Sequence, residues 1–276
     1  MVMKARKALI ITIKAVSVVL ITMLAFFPIY WMLITSLRQS SELISCEMAL
    51  IPQNPSFQSF IAAFRSDDLP RYLMNTVIMT AGILMGQIVT GTLAAYGLAI
   101  TKSKHKNLIF GIIMGAMMIP IQVTFIPLYM SFAKLKLTNS FWGLILPELA
   151  SPFFIYVLKN AFENTNRELI DAGTMDGLSK TKRLLYVYLP EHKPKFFATV
   201  IILFINSWNS YFWPKIIVNS KLRRVLAVGI AFMKTSYGGD AVGNYNEIMA
   251  VSVVSTIPVL AVFIALHKYV SNGISV

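Results

Sequence analysis

The sequence predicts an all-α fold, a polytopic membrane bundle of six transmembrane helices. Of its 276 residues, 56% are hydrophobic and only 13% are charged, whereas soluble domains contain about 45–50% apolar and about 25% charged residues. The apolar residues gather in runs that are each long enough to cross the roughly 30 Å of hydrocarbon in a bilayer. The basic residues fall in short clusters between these runs. Such a chain belongs in a membrane.

Each apolar run predicts one membrane helix. The first run follows a basic N-terminal segment that resembles a signal peptide, but it continues to about Leu37 without an obvious small-residue cleavage site, so we expect a retained helix. Neither an internal repeat nor a low-complexity linker is evident, and residues 1–276 are predicted to form a single transmembrane domain. The predicted spans are 9–37, 73–100, 108–132, 141–158, 196–218 and 248–270.

The distribution of basic residues predicts the orientation. An even number of spans places both termini on one side, and short loops rich in Lys and Arg stay in the cytoplasm. With the N-terminus inside, the inner segments contain more than half of the 25 basic residues. Lys221, Arg223 and Arg224 on the predicted outer side argue against this orientation. We expect a multi-pass membrane protein with both termini cytoplasmic.

The sequence lacks the residues that several other classes of function require. The net charge of +13 suits lipid headgroups and topology, because no nucleic-acid recognition motif accompanies it. The single cysteine, Cys46, has no partner for a disulfide and receives no role. The histidines at 105, 192 and 267 lack ligand spacing, so no metal site is expected. No nucleophile and base pattern stands out, and we expect no catalytic residues.

Helix-packing motifs fit a bundle in lipid. Gly82 with Gly86, and Gly111 with Gly115, form small-xxx-small pairs that allow close approach of helices. Prolines in or near the spans are expected to kink them.

A polar loop at 159–195 separates the fourth and fifth spans. Glu168 to Asp176 are predicted to form a short helix, which Gly177 can end in the left-handed conformation. Ser179 can cap a second helix with Leu184, Leu185 and Tyr188 on one apolar face, until Pro190 stops it. Such a helix–turn–helix unit is suited to fit a partner's groove.

This loop resembles the EAA loop of ABC importer permeases. That pattern is roughly Glu-Ala-Ala, three residues, Gly, and an apolar segment closing on Leu-Pro. Two positions depart from it, since Asp171 stands where Glu is usual and Gly173 where the second Ala is usual. The resemblance implies that the loop couples the chain to an ATPase, through Glu168, Asp171, Ala172, Gly173, Asp176, Gly177, Leu184, Leu189 and Pro190.

The resemblance extends along nearly the whole chain. Pro28-Ile29-Tyr30-Trp31, Ala94-Ala95-Tyr96-Gly97, Met118-Ile119-Pro120, Ile126-Pro127-Leu128-Tyr129 and Trp208-Asn209 are similar to segments of the maltose-type carbohydrate permeases. Length and topology are similar to the shorter, six-span type of these subunits, which implies the ABC type I importer fold.

The resemblance also implies a location in a bacterial-type inner (plasma) membrane, and it implies the partners. The partners are a second, homologous permease in a heterodimer, an ABC ATPase dimer, an extracytoplasmic solute-binding protein and a sugar or oligosaccharide, all at a lipid bilayer. The chain has no Gly-x-x-x-x-Gly-Lys-Ser/Thr cradle for phosphates. The chain itself is therefore expected to bind no cofactor and not to be an enzyme. The partner ATPase is expected to use ATP and Mg.

Amide and aromatic side chains are candidates for the solute path, since they suit hydroxyl-rich sugar rings. The same residues can instead form an interfacial aromatic belt and interhelical hydrogen bonds. Glu148 is an acid inside a predicted span, which we interpret as reaching the outer interface. The candidates are Asn75, Gln122, Tyr129, Asn206, Trp208, Asn209, Tyr211 and Trp213.

Three alternatives remain open. An importer of the same class can serve glycerol-3-phosphate-type solutes, although no Lys or Arg sits near the middle of a predicted span. An ion-coupled secondary transporter would need charged relay residues at mid-membrane, where only Glu148 is available. A membrane-embedded enzyme would need a clustered catalytic set.

Overall fold

The computed structural model describes residues 2–45, 50–65, 68–236 and 244–273, with side chains for those between 10 and 269. These residues form helices and turns, and no strand occurs among them. Cys46 lies outside the described residues. The chain divides into two compact units, Met1–Leu69 with Ile230–Thr256 and Pro70–Gly229 with Ile257–Val276.

The first unit contains the N-terminal helices. They are α1 (Val2–Leu37), α2 (Ser40–Ile44) and α3 (Gln58–Arg65). The turn after α1 is held by an ion pair of Arg38 with Glu42, in which Nε and Oε2 lie 3.4 Å apart. Glu42 Oε1 also accepts a 2.9 Å hydrogen bond from the backbone N–H of Asn54. Most of the apolar side chains of α1 point away from the chain's own core, as expected of a helix surrounded by lipid.

The remaining helices follow in chain order, and α4, α14 and α15 contribute residues to both units. They are α4 (Asp68–Ile100), α5 (Lys106–Met117), α6 (Ile121–Lys134), α7 (Phe141–Ile145), α8 (Pro152–Glu163), α9 (Arg167–Met175), α10 (Lys180–Arg183), α11 (Leu189–Glu191), α12 (Lys193–Trp208), α13 (Phe212–Ile217), α14 (Leu226–Ser236) and α15 (Tyr245–Gly273). Single 3-10 turns occur at Leu146–Glu148 and Lys221–Arg223, and a π turn at Leu184–Tyr188.

The apolar segments confirm a multi-helix membrane fold. Four are long and apolar enough to cross a bilayer, namely Ile10–Leu37, Asp68–Ile100, Lys193–Ile217 and Tyr245–Tyr269. Two further helix pairs also qualify if each bent pair counts as one span. The count of six therefore stays a prediction, although each predicted run coincides with one of these segments.

Both bent pairs have a proline at the break. α5 and α6 meet at 95° around Pro120, whose ring disfavours a helical conformation of the preceding residue. The segments Phe141–Glu148 and Pro152–Glu163 meet at 40°. Ser151 caps the second of these, because its Oγ accepts the backbone N–H of Phe154 at 3.3 Å. Pro28 and Pro258, in contrast, lie inside continuous helices.

One of the two predicted glycine pairs is a packing surface within this chain. A Cβ added at Gly82 would lie 2.6 Å from Cδ1 of Ile145, and one at Gly86 would lie 3.3 Å from the Cα of Leu149. The missing side chains thus let α4 approach the α7–α8 segment closely. A Cβ added at Gly111 or Gly115 would have no atom of another described part of the chain within 4 Å.

Two apolar clusters form the core of the second unit. One joins Tyr96 of α4 and Phe162 of α8 with Leu184 and Tyr188 of the loop. The other joins Met79 and Ile83 of α4 with Phe125, Leu144 and Trp213. The first cluster therefore supports the polar loop, and the second lies where the bent helices meet α13.

Candidate functional site

The helix α9 has the predicted ends. The side-chain oxygen of Asn166 accepts a 3.0 Å hydrogen bond from the backbone N–H of Glu168 and caps the N-terminus. Gly177 adopts φ of 72°, as predicted for the residue that ends the helix. The N–H of Leu178 reaches the carbonyl of Gly173 at 3.0 Å, and that of Gly177 reaches Thr174 at 3.1 Å. These two bonds form a Schellman motif.

The second half of the loop differs from the prediction in two respects. Ser179 caps α10 as expected, since its Oγ accepts the N–H of Lys182 at 3.4 Å. Leu184 and Tyr188 are buried, but Leu185 is 52% exposed, so its predicted place on the apolar face is wrong. Consecutive residues of a helix point about 100° apart, so Leu185 leaves the side on which Leu184 and Tyr188, four residues apart, are buried.

Pro190 does not stop the helix as predicted. It lies in α11, which continues from the π turn without a break. The helix ends at Glu191 instead, and the turn residue His192 separates α11 from α12.

Aromatic rings anchor the loop to the membrane helices. The ring centroids of Tyr96 and Tyr188 lie 5.0 Å apart, and those of Phe162 and Tyr188 lie 5.7 Å apart, both in edge-to-face arrangements. The Tyr96 hydroxyl donates a 2.8 Å hydrogen bond to the carbonyl of Lys180. Burial raises the pKa of the Tyr188 phenol. The loop is therefore fixed at its centre to α4 and α8.

Polar contacts fix the two ends of the loop. Thr165 Oγ1 lies 3.0 Å from Nε2 of His192, and Glu191 Oε1 accepts the N–H of Asn166 at 3.1 Å. Burial lowers the pKa of the His192 imidazole. Within the loop, Nη1 of Arg183 donates a 2.9 Å hydrogen bond to Oγ1 of Thr174.

The outer face of α9 carries exposed side chains. Met175 is 88% exposed and Leu169 is 46% exposed. Glu168, Asp171, Ala172 and Asp176 are exposed as well, whereas Gly173 is buried against the rest of the loop. A rigid helix thus presents acids and apolar groups outward.

A cavity of about 600 Å³ with a mixed polar and apolar lining lies in the second unit, among α4, α6, α12 and the break between α7 and α8. Its wall includes Ile83, Phe125 and Trp213 of the second apolar cluster. The polar side chains that line it are Gln87, Thr124, Glu148, Ser151, Asn206, Ser207 and Ser210.

The cavity contains two of the predicted solute-path residues, Asn206 and Trp213. Trp213 is buried and its Nε1 donates a 2.9 Å hydrogen bond to the carbonyl of Gly143. The other candidates lie outside the lining of this cavity: Asn75, Gln122, Tyr129, Trp208, Asn209 and Tyr211.

Asn75 has a different set of contacts. It is buried, and its Nδ2 donates to the carbonyls of Leu222 and Arg224 at 3.0 and 2.8 Å. Its amide therefore ties α4 to the segment before α14. Gln122 and Asn209 are exposed, Tyr129 and Tyr211 are partly buried, and Trp208 is buried.

Sequence reasoning missed most of the polar lining. Glu148 lines the cavity at the break between α7 and α8, although it was interpreted as an interfacial residue. Gln87 stands out in the printed sequence as an amide in the middle of the second predicted span, so a signal was present. Ser207 and Ser210 gave no comparable signal, because serines are common in membrane helices. No cluster of metal-ligating side chains is found in the described ranges.

Several segments able to cross a membrane, a cavity with polar groups among them and an anchored loop outside them are features expected of a membrane permease. The chain belongs to the family of binding-protein-dependent transport system inner membrane components, whose family model matches residues 87–276. It is therefore a transport component of the inner membrane and not an enzyme.

Named relatives cover nearly the whole chain. The arabinooligosaccharides transport system permease protein AraQ of Bacillus subtilis is 29% identical over 93% of this chain and 91% of that protein. The lactose transport system permease protein LacG of Rhizobium radiobacter is 28% identical, over 91% and 89%. The sn-glycerol-3-phosphate transport system permease protein UgpE of Yersinia enterocolitica is 27% identical, over 91% of each chain.

A solved structure has the same fold. A chain of a bacterial ABC transporter involved in the import of the acidic polysaccharide alginate matches with a TM-score of 0.81. The two chains are 20% identical, and the match covers 94% of this chain and 95% of the other. At this identity the likeness concerns the fold alone.

Proposed function

We propose that this chain is one of two homologous permease subunits of an ABC importer for an oligosaccharide or a related sugar. The names of the AraQ and LacG relatives support a sugar as the solute. The observation that carries the proposal is the anchored loop, in which α9 presents an exposed acidic and apolar face on a rigid support.

The exposed face of α9 is the docking site for a separate ATPase. Its Asp171 and Glu168 offer charge, and Leu169 and Met175 offer apolar contact, which together suit a groove on a partner. The partner binds ATP and Mg and hydrolyses the nucleotide, since this chain has no phosphate-binding loop. Tyr96 and Tyr188 attach the loop to α4 and α8, and Arg183 joins α9 to the loop through Thr174, so the partner's motion is transmitted to the membrane helices.

Docking on α9 implies an orientation. The loop and both termini lie in the cytoplasm, and an extracytoplasmic binding protein delivers the solute from the other side. With Cys46 replaced by Ala, a membrane-impermeant maleimide is expected to label Lys221→Cys in intact cells. It should label Lys182→Cys only after the membrane is broken, and the reverse pattern would invert the orientation.

A second candidate solute is glycerol 3-phosphate, which the name of the UgpE relative supports. Uptake measurements distinguish the two candidate solutes. Membranes that express the whole transporter are expected to accumulate arabinotriose or lactose and not glycerol 3-phosphate under the same ATP supply.

Charge reversal on α9 tests the coupling role. Asp171→Lys is expected to lower uptake at least tenfold, either by losing the ATPase during purification or by leaving ATP hydrolysis uncoupled from transport. Asp171→Glu, which restores the residue usual in EAA loops, should keep uptake, and so should Lys134→Glu on an exposed end of α6. Normal uptake by Asp171→Lys would contradict the docking role.

Purification of the tagged protein in mild detergent tests the assembly. A Walker-motif ATPase and a second permease are expected to co-purify in stoichiometric amounts. Recovery of this chain alone, folded and able to transport, would instead favour a secondary transporter.

A further inference from the structure

An amide oxygen in the cavity has no partner. Gln87 is only 5% exposed, lines the cavity, and its Oε1 accepts no hydrogen bond from the residues that the structure describes. A buried acceptor without a donor is unfavourable, and nearly all such groups in folded proteins find a partner. The cavity beside Gln87 is where a donor from a solute can approach it.

The described residues of the cavity wall include an acidic side chain and no basic one. Glu148 lines the cavity, and no Lys, Arg or His is found among the described residues of its wall. A carboxylate accepts hydrogen bonds from hydroxyl groups but repels a phosphate or another carboxylate, since nothing in the wall compensates the like charges.

Another part of the wall adds hydroxyl and amide groups. Asn206 and Ser207 on α12, and Ser210 just after it, can each donate and accept hydrogen bonds. The indole N–H of Trp213 donates its hydrogen bond to the carbonyl of Gly143, so Trp213 contributes an aromatic surface to the cavity. This combination is suited to a solute with many hydroxyls and an apolar ring face.

We infer that this cavity is a solute-binding site on this subunit itself, specific for an uncharged, hydroxyl-rich solute and closed to anionic ones. Gln87 and Glu148 accept hydrogen bonds from solute hydroxyls, and Asn206, Ser207 and Ser210 complete the polar wall. The volume of about 600 Å³ falls in the usual range of roughly 300–1,000 Å³ for small-molecule sites. The inference rests on the proposed import function, and it separates this chain from transporters of phosphorylated or acidic sugars.

Thiol labelling in the assembled transporter tests the site directly. The variant Ser210→Cys is made in a Cys46→Ala background, which leaves it as the only cysteine of this chain. A cationic methanethiosulfonate is expected to react at least fivefold faster than an anionic one of similar size, because Glu148 attracts it. Adding Glu148→Gln should abolish this preference.

Protection by solute identifies the occupant. Saturating arabinotriose or lactose, whichever the transporter takes up, is expected to slow labelling of Ser210→Cys at least fivefold, whereas glycerol 3-phosphate should not. If the transporter takes up a sugar and no sugar protects the thiol, the site is wrong and the import function stands. If glycerol 3-phosphate is transported and protects, the specificity is wrong.

Kinetics separate binding from packing. Gln87→Leu is expected to raise the KM for sugar uptake about tenfold with a smaller change in kcat. Thr90→Val is the matched control, since Thr90 lies one turn away on α4 and hydrogen-bonds the carbonyl of Leu149 at 2.7 Å outside the cavity. An equal KM increase in both variants, or none in Gln87→Leu, would overturn the role of Gln87.

Discussion

The hydroxyl of Tyr96 donates a 2.8 Å hydrogen bond to the backbone carbonyl of Lys180. Tyr96 lies in the last part of α4, the long membrane helix whose earlier turns line the cavity through Ile83 and Gln87. Lys180 is the first residue of α10 in the loop. A single helix thus connects the solute cavity with the loop that is proposed to meet the ATPase.

Removing this hydroxyl should loosen the loop. Tyr96→Phe keeps the ring contacts with Tyr188 and Phe162 but loses one hydrogen bond, worth about 0.5–1.5 kcal/mol. Amide hydrogen exchange in the segment 179–183 is expected to speed up several-fold, and ATP hydrolysis should couple less tightly to uptake. Tyr186→Phe, on a side chain that is 69% exposed, is the control. Unchanged exchange in Tyr96→Phe would show that the rings alone hold the loop.

The two glycines of the loop should respond differently to alanine. Gly177 has φ of 72°, and an L-residue there costs about 1–2 kcal/mol. Gly177→Ala is therefore expected to destabilise the end of α9, measured by hydrogen exchange of Leu178. A Cβ at Gly173 would lie 3.2 Å from Cγ2 of Val187 and 3.4 Å from Cδ1 of Leu178. Small shifts relieve these contacts, so Gly173→Ala should keep nearly full transport.

Equal losses in both variants would contradict this distinction. They would mean that the exact spacing of α9 from Val187, rather than its left-handed end, limits function.

The anchor at His192 should weaken in acid. Burial lowers the pKa of His192 below its ordinary value of 6.5, although Glu191 acts in the opposite direction and Lys195 in the same one. A loosened loop therefore binds the proton better than the anchored one. The contribution of His192 to loop stability is full above about pH 6.5 and is lost as the pH falls through the lowered pKa.

Hydrogen exchange at the ends of the loop measures this effect. Protection of residues 165–168, corrected for the intrinsic pH dependence of exchange, is expected to fall between pH 7.5 and pH 5.5. His192→Gln should remove most of the pH dependence. If protection in the wild type does not change over this range, His192 does not act as an acid-sensitive anchor.

Replacing a glycine of α4 with a larger residue should disrupt the helix bundle. A side chain at Gly86 would overlap the side chain of Leu149, so Gly86→Val is expected to cost about 1–3 kcal/mol by overpacking. Thermal unfolding of the solubilised protein provides the measurement. Gly111→Val, at a position with open space around its Cβ within this chain, should unfold at nearly the wild-type temperature. The opposite ranking would mean that α5 packs more tightly than α4.

The loop could be predicted from sequence because its signals are local. Asn or Ser caps, acids in a first turn and a glycine at the end act within a few residues, so α9, Gly177 and the Ser179 cap were predictable. The π turn was not, since nothing in the residues 184–188 alone demands a wider turn. Nor could the pattern of residues show that Leu185 is exposed or that the helix continues through Pro190 to Glu191.

The cavity depends on contacts between distant parts of the chain. Gln87, Thr124, Glu148 and Asn206 come from four separate segments, and only the bends at 118–120 and 149–151 bring them together. Hydropathy predicts how long an apolar run is but not how sharply it bends. The sequence could indicate that a polar group within a span, such as Asn206, needs a partner. It could not indicate which polar groups line the same cavity.

The π turn makes the number of residues in the loop matter as well as their identity. Each residue turns a helix by about 100°. Deleting one residue between Leu184 and Tyr188 would restore regular α-helical bonding and leave every side chain of α9 intact. It would also swing Asp171 and Met175 by about a quarter turn around the axis leading into α12. The number of residues in this turn therefore sets the direction in which α9 faces outward, while the buried Leu184 and Tyr188 hold the turn against α4 and α8.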